Sequence, residues 1–269
     1  MRRILVRLAG EAADGDTLEA AHFLAGRLGA RLDGVFVRPR PASVVLGASP
    51  VAALMAALGG ARVAELDPED DERAARARQA FAGGGDPGGG SFRVLTGRSA
   101  LALDAALADL LVETGAWRDP GPASDDLFHV LGDSQSPILL PPPAGAALDL
   151  DIVAVAWGGD LSSARALKAA TPVLAAAGQI VVLHDDRAAA AALEPVRDHV
   201  RAQGLPASFE ALDLSKGHPA EVVAARCAAL RAGLAVMGAY THSHLEESLL
   251  GGFTQDMLAA RRFAVLLRH

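Results

Sequence analysis

The sequence predicts an α/β fold: two tandem doubly wound domains, each a five-stranded parallel sheet flanked by helices (Rossmann-like). Three observations carry this. Short, near-continuous Val/Ile/Leu runs alternate with amphipathic segments along the whole chain, and strands without polar alternation are strands buried on both faces. Parallel neighbours need a crossover between them, which the intervening helical segments supply. The same succession of elements occurs in both halves, and 269 residues suit two domains of about 130. Finally, 51% of residues are apolar but only 4% aromatic, so the core is built from Ala, Val and Leu, which suits helices packed closely on a sheet.

The first half reads strand "RRILVRLAG", a helix through "TLEAAHFLAGRLGA", strand "RLDGVFVRP" and a long helical region ending near Phe81. Strand "SFRVLTG", helix "ALALDAALA", strand "DLLVETG", a short helix around "SDDLFHVLG" and strand "PILLPPP" follow. The second half repeats the pattern: "DIVAVAW", helix "LSSARALKAATPVLAAAG", "QIVVLHD", helix "AAAAALEPVRDHVRAQGL", "ASFEALDL", helix "HPAEVVAARCAALRAG", "LAVMGA", a helix from about Glu246, and "FAVLLRH". Three prolines close the first half, placing the domains at 1–143 and 150–269 with 144–149 as linker.

The first half also carries a long insertion at about 38–90. Within it, Pro41 to Ala61 has no charge, but Gly47, Pro50 and the Gly59-Gly60 pair interrupt it. It reads as a loop and a helix capped at Ser49, with Val51, Leu54, Met55 and Leu58 on one face, rather than as a membrane span. The run "ELDPEDDERAARARQ" reads as a solvated helix, acids first and arginines later, in the order the helix dipole favours. "AGGGDPGGGS" from Ala82 reads as a mobile tether.

A net charge of −7 and the lack of any Lys/Arg run exclude a phosphate-tracking surface, so neither nucleic acid nor an anionic membrane is an expected partner. Cys227 is the only cysteine, which rules out an internal disulfide and any multi-cysteine metal site. It reads as a small buried hydrophobe. The apolar run at the amino end is broken by Arg7 and is too short for a secretion signal, so the expected location is cytoplasmic.

In doubly wound sheets, ligands sit outside the carboxyl ends of the strands where the winding direction switches, here between the first and fourth strands of each half. In the second half the loops at that point are "AWGGDLSSARA" and "GAYTHSHLEESLLGGFTQDML". With the five-strand order, these loops resemble the universal stress protein family in its tandem form, over nearly the whole chain and most strongly in the second half. The resemblance implies a stress-response protein that acts by binding or interaction rather than by catalysis.

Family members that bind ATP carry an Asp after the first strand, and a Gly-x-x-Gly loop followed by a later Gly-Ser/Thr, whose backbone amides hold phosphate and ribose. Laid on this sequence, Gly238 matches the first glycine, Thr241 stands at the second, Gly251 follows after a nine-residue gap, and Gly252 stands where a hydroxyl is expected. Thr254, two positions on, can supply one. Gly158 takes the place of the adenine-side Asp, with Asp160 two residues further on.

The nucleotide loop is therefore degraded, and no cofactor is firmly implied. An ATP or AMP sensor using Gly158, Gly238, Thr241, His242, Gly251, Gly252 and Thr254 is the alternative reading. The first half departs further, with Ala9 at the Asp position and Arg118, Asp119, Asp125 and Asp126 in its fourth loop, and is expected to be structural. The resemblance also implies an intramolecular pseudo-dimer in which "PILLPPP" and "FAVLLRH" meet. A protein partner or self-association would complete the function.

His242, His244 and His269 with Glu246 and Glu247 invite a metal, but without a spaced third ligand "THSH" reads as a polar loop facing solvent or nucleotide. "HDDR", His184 to Arg187, lies at the sheet's reactive edge and reads as a helix start. An enzyme built around His184 and His242 is the remaining alternative. No Ser, Cys or Lys sits in a nucleophile elbow, since "GDS" at Gly132 to Ser134 lacks the flanking glycines.

Overall fold

Ile4, Leu5 and Val6 are each 0% exposed, so the first strand is buried on both faces, as its unbroken apolar run requires. The computed structural model describes residues 1–38, 68–85, 89–113, 130–143, 145–239 and 252–269. The Pro41 to Ala61 segment, Arg118, Asp119, Asp125, Asp126, and the stretch holding Thr241, His242, His244, Glu246, Glu247 and Gly251 lie outside the described residues.

The first half runs β1 (Arg3–Leu8), α1 (Asp14–Leu28), β2 (Arg31–Arg38), α2 (Pro68–Gly83), β3 (Phe92–Thr96), α3 (Arg98–Ala106), β4 (Leu110–Val112) and β5 (Ile138–Leu140). The second runs β6 (Ile152–Trp157), α4 (Leu161–Leu174), β7 (Gln179–Asp185), α5 (Ala190–Ala202), β8 (Ala207–Leu212), α6 (Pro219–Leu230), β9 (Leu234–Gly238), α7 (Gly252–Ala260) and β10 (Ala264–Arg268).

All of these strands join one ten-stranded sheet in the order β3-β2-β1-β4-β5-β10-β9-β6-β7-β8. Matched strand for strand, the halves read as mirror orders about the β5–β10 junction. Every pairing is parallel except that junction, where Leu140 faces Val265, Leu139 faces Leu266 and Ile138 faces Leu267 antiparallel. The segments "PILLPPP" and "FAVLLRH" therefore meet, and each covers an edge that would otherwise expose unpaired backbone. Arg261, 5% exposed, holds the junction from one side. Its guanidinium donates to the carbonyls of Pro141 at 2.6 Å and Phe263 at 3.3 Å.

Helices cover both faces. Residues of α1, α2, α4 and α5 pack one core layer with Val6, Val155, Val236 and Leu266, while α3, α6 and α7 pack the other with Leu5, Ala154, Met237 and Leu267. At the amino edge of the first half, Arg3 bridges Asp33 and Asp104 at 2.8 Å each, and Arg93 reaches Asp104 at 2.5 Å. Burial would raise the pKa of Asp33, but hydrogen bonds from Arg3, Ser91 and Arg31 outweigh it and hold the carboxyl down at about 2.

Helix α2 corrects one sequence reading. The run "ELDPEDDERAARARQ" is helical from Pro68 on, but that part is more than a solvated rod, because Ala74 and Ala77 are buried in the core. Arg73 Nε donates to the Ala9 carbonyl at 3.1 Å and Arg76 Nε to the Gly10 carbonyl at 2.9 Å. Carbonyls of a tight loop need donors, and the arginines that looked like solvated dipole partners supply them.

Candidate functional site

β6 delivers Trp157 to the carboxyl edge of the second half, and Gly158, Gly159 and Asp160 turn the chain into α4. Gly159 has φ +73°, the left-handed region in which glycine is favoured. Asp160 caps α4: its Oδ1 accepts from Ser163 N at 2.7 Å and from Ser162 Oγ at 2.9 Å. The Ser163 hydroxyl accepts from Asp160 N at 3.2 Å, which completes a capping box. Asp160 is thus committed to the helix start rather than placed as a stand-in for an Asp at position 158. A Cβ at Gly158 would lie 3.1 Å from Asp160 Oδ2, so a side chain there would crowd the cap.

β9 ends at Gly238, where an added Cβ would lie 2.3 Å from Ser162 Oγ and 2.6 Å from both Ser162 C and Ser163 N. The glycine is required by the close approach of α4 to β9, a packing reason independent of any phosphate. Gly252, which heads α7, is different: among the described residues its Cβ would meet only Asp256 Oδ2, at 3.9 Å. Thr254 is 2% exposed. It is not among the walls of the adjoining cavity.

That cavity, about 400 Å³, opens at the switch point. Its walls include Trp157, Gly158, Asp160, Ser162 and Ser163 from the α4 start, and His184 and Asp185 from the end of β7. Leu183, Leu212, Leu214, Val223, Met237 and Phe253 make the rest largely apolar. Among the described residues, no lysine or arginine lines it. Trp157 Nε1 donates to the Ala192 carbonyl at 3.1 Å, which fixes the indole as one wall. His184 Nδ1 lies 2.9 Å from the Asp185 carbonyl. Hydrogen bonding from the Arg187 backbone amide, with its charge, lowers the pKa of Asp185 and keeps it ionised.

A second cavity of about 650 Å³ adjoins the first, sharing Trp157, Asp160 and Ser162 and extending past Arg165, Ala192 and Pro195 to His269.

The corresponding edge of the first half is satisfied from within. Gly10, with φ +74°, stands where Gly159 stands in the second half, and a Cβ there would lie 2.2 Å from the Arg73 carbonyl oxygen. Asp14, 2% exposed, fills the loop: Oδ1 accepts from Ala9 N at 2.8 Å and Oδ2 from Gly10 N at 2.8 Å and Glu11 N at 3.3 Å. Burial raises the Asp14 pKa against these hydrogen bonds. Arg7 and the buried Glu113 pair at 3.4 Å across β1 and the end of β4, spanning the crevice itself. A backbone nest that could receive an anion already holds a carboxylate of this chain.

Of the residues named from sequence, Gly158, Gly238 and His184 line the first cavity and Gly252 heads the helix that brings Phe253 to it. Thr241, His242 and Gly251 lie outside the described residues. Sequence reasoning missed Asp14, Trp157, Met237 and Phe253. Only the Gly10/Gly159 correspondence offered a signal for the loop geometry. Among the described residues, no group of three His, Cys, Asp or Glu could hold a metal ion, and no helix is long and apolar enough to cross a membrane.

The whole architecture has solved counterparts. A universal stress protein from Archaeoglobus fulgidus DSM 4304 superposes with a TM-score of 0.69 over 99% of this chain and 97% of its own, at 16% identity. The fold is that of the universal stress proteins. A protein of unknown function from Pseudomonas aeruginosa PAO1 shares it with a TM-score of 0.57 and 15% identity, over 100% of this chain and 92% of its own. A putative universal stress protein from Pseudomonas aeruginosa UCBPP-PA14 gives 0.57 at 14% identity, over 100% and 93%. Neither a family model nor a curated protein matches the sequence. The carboxyl edge of each half lies where β6 gives way to Gly158 and β1 gives way to Ala9.

Proposed function

We propose that this chain is a stress-response protein of the universal stress type that acts by binding, not turnover, and that its second half receives an adenine nucleoside or nucleotide while its first half is a scaffold. The observation that carries the reading is the cavity of about 400 Å³ at the switch point between β6 and β9. Its mostly apolar walls, closed by Trp157 and Phe253, suit a planar ring, and its few polar groups at one rim suit a base or ribose. The family resemblance supplies the adenine, and the filled Asp14 loop accounts for one site rather than two.

Binding without catalysis fits the chemistry present. Asp160 is occupied by its capping box, His184 by a backbone carbonyl, and Cys227 is buried on α6 away from the cavity walls. The test is thermal unfolding and calorimetry with adenosine, AMP and ATP. Ligand at 100 times its dissociation constant stabilises by about 2.7 kcal/mol, a shift of several degrees. Val223→Phe, which narrows the cavity, abolishes the shift while circular dichroism stays unchanged. Absence of any shift or heat with all three ligands would overturn the reading and leave a ligand-free interaction module.

A further inference from the structure

The two halves correspond residue by residue at their outer strand and the helix that follows it. Phe92 on β3 lies under Arg78, the guanidinium 5.6 Å from the ring centroid, and Phe209 on β8 lies under Arg197 at 4.9 Å. The next residue of each strand pairs with the following helix: Arg93 with Asp104 on α3 and, with the charges exchanged, Glu210 with Arg226 on α6. In this register Leu101 and Ala105 of α3 fall on Val223 and Cys227 of α6, and all four are buried.

The exposed faces of the two helices differ. Leu103 is 68% exposed and Leu107, the C-cap of α3, is 72% exposed. The corresponding residues of α6 are Ala225 and Ala229, which are exposed but present only methyl groups. Leucines one turn apart on one helix form a strip, unlike a single leucine scattered on a surface. The second half builds the same fold with alanine at both places, so the core does not account for the leucines.

The charges at the ends of α3 indicate what the strip faces. α6 opens with Glu221 in its first turn, as the helix dipole favours. α3 has Ser99 at that position and opens with the exposed Arg98, behind Gly97, which provides no side-chain cap. Beyond the other end stands the exposed Asp109, its Oδ2 accepting from the Arg2 and Arg3 amides at 2.6 and 3.0 Å. A cation at the positive end of its own helix is unfavourable. The negative end of a second α3 laid antiparallel, with Asp109 beyond it, offers Arg98 a complementary charge.

We infer that the Leu103 and Leu107 face of α3 is an interface with a second copy of this chain, the two helices lying antiparallel about a two-fold axis at Leu103. A two-fold interface requires one patch that complements itself. Here Leu103 meets Leu103, Leu107 lies beside Ser99 of the second copy, and Arg98 lies at the end of its α3 that leads to Asp109. A seam of this length is well below the surface of about 800 Å² that each partner gives to a standard interface, so the pair forms reversibly at micromolar concentration.

Sedimentation equilibrium of the full chain from about 5 to about 500 μM is the test. The average mass of the wild type is expected to rise from one chain toward two. Leu103→Ala/Leu107→Ala, which copies the second half, stays at one chain throughout. Leu161→Ala, which removes an exposed leucine elsewhere, associates as the wild type does. Arg98→Glu and Asp109→Lys each weaken association by about tenfold or more. An equimolar mixture of those two variants recovers it, because in an antiparallel pair the reversed charges then face each other.

A wild type that remains one chain at the highest concentration would overturn the inference, as would an alanine variant that associates as well as the wild type. A mixture no stronger than its separate components would overturn it too, since the antiparallel pairing would then be absent. If the uncharged Pro41 to Ala61 segment of the same chain covers this face, the wild type is monomeric and the alanine variant melts several degrees lower, and the second copy is ruled out.

Discussion

Gly238 at the end of β9 lies directly against Ser162 in the first turn of α4, so close that a Cβ would sit 2.3 Å from the Ser162 hydroxyl and 2.6 Å from its carbonyl carbon. The hydroxyl can rotate away, but the backbone cannot without moving the capped helix start. Gly238→Ala is therefore expected to destabilise by about 1–3 kcal/mol through overpacking. Gly252→Ser, whose Cβ meets nothing nearer than Asp256 Oδ2 at 3.9 Å among the described residues, should stay within about 0.5 kcal/mol of the wild type. Urea denaturation of the two variants distinguishes them. Equal stability of Gly238→Ala and wild type would remove the packing role of this glycine.

Asp33 makes stability pH-dependent in acid. Its folded pKa, about 2, is below the ordinary carboxylate value of 3.8, so the folded state favours the ionised form. The stabilisation is complete above the unfolded pKa and is lost as pH falls from about 4 through about 2. A shift of this size corresponds to about 2 kcal/mol at neutral pH. Asp33→Asn should lose that amount near pH 7 and converge with the wild type near pH 2, measured by denaturant titration at each pH. A stability gap that does not narrow in acid would mean that the network with Arg3 and Ser91 acts by packing alone.

Much of the fold was legible because its signals are local and repeated. Unbroken runs such as "DIVAVAW" and "LAVMGA" could only be buried strands, and "FAVLLRH" marked the strand that closes the second half. The cavity was legible only by position, through the switch-point rule. Its walls come from β6, β7, β8, β9, α4, α6 and α7, and nothing in the sequence says that Trp157, Met237 and Phe253 converge. Gly238 looked like a ligand-binding glycine because sequence cannot separate close approach to a phosphate from close approach to a helix. Asp14 was invisible for a related reason, since a carboxylate that folds back on the loop before it has the same spacing as an ordinary first-turn acid.

Cys227 is 1% exposed on α6, and burial pushes its thiol up to about 12. At neutral pH almost none of it is thiolate, the reactive form. Native protein should therefore react with a disulfide reagent such as dithiobisnitrobenzoate only as fast as it opens, while protein in denaturant reacts at once with a single equivalent. Fast labelling of the native state would contradict the buried position.

Arg261 couples the halves more directly than any apolar contact at the β5–β10 junction, because one guanidinium satisfies carbonyls on both sides, at Pro141 and Phe263. Replacing it with methionine keeps much of the volume but leaves those oxygens without their charged donor, a loss of about 1–3 kcal/mol. The strands β5 and β10 share a three-residue register, and α1 adds a link to the second half where Arg27 donates to the Ala176 carbonyl at 3.2 Å. Calorimetry of the wild type should show one cooperative transition. In Arg261→Met the junction is weakened, and the melt should broaden or split as the halves unfold at separate temperatures. A single sharp transition at the wild-type temperature would show that the apolar pairing of Leu139 with Leu266 suffices to couple them.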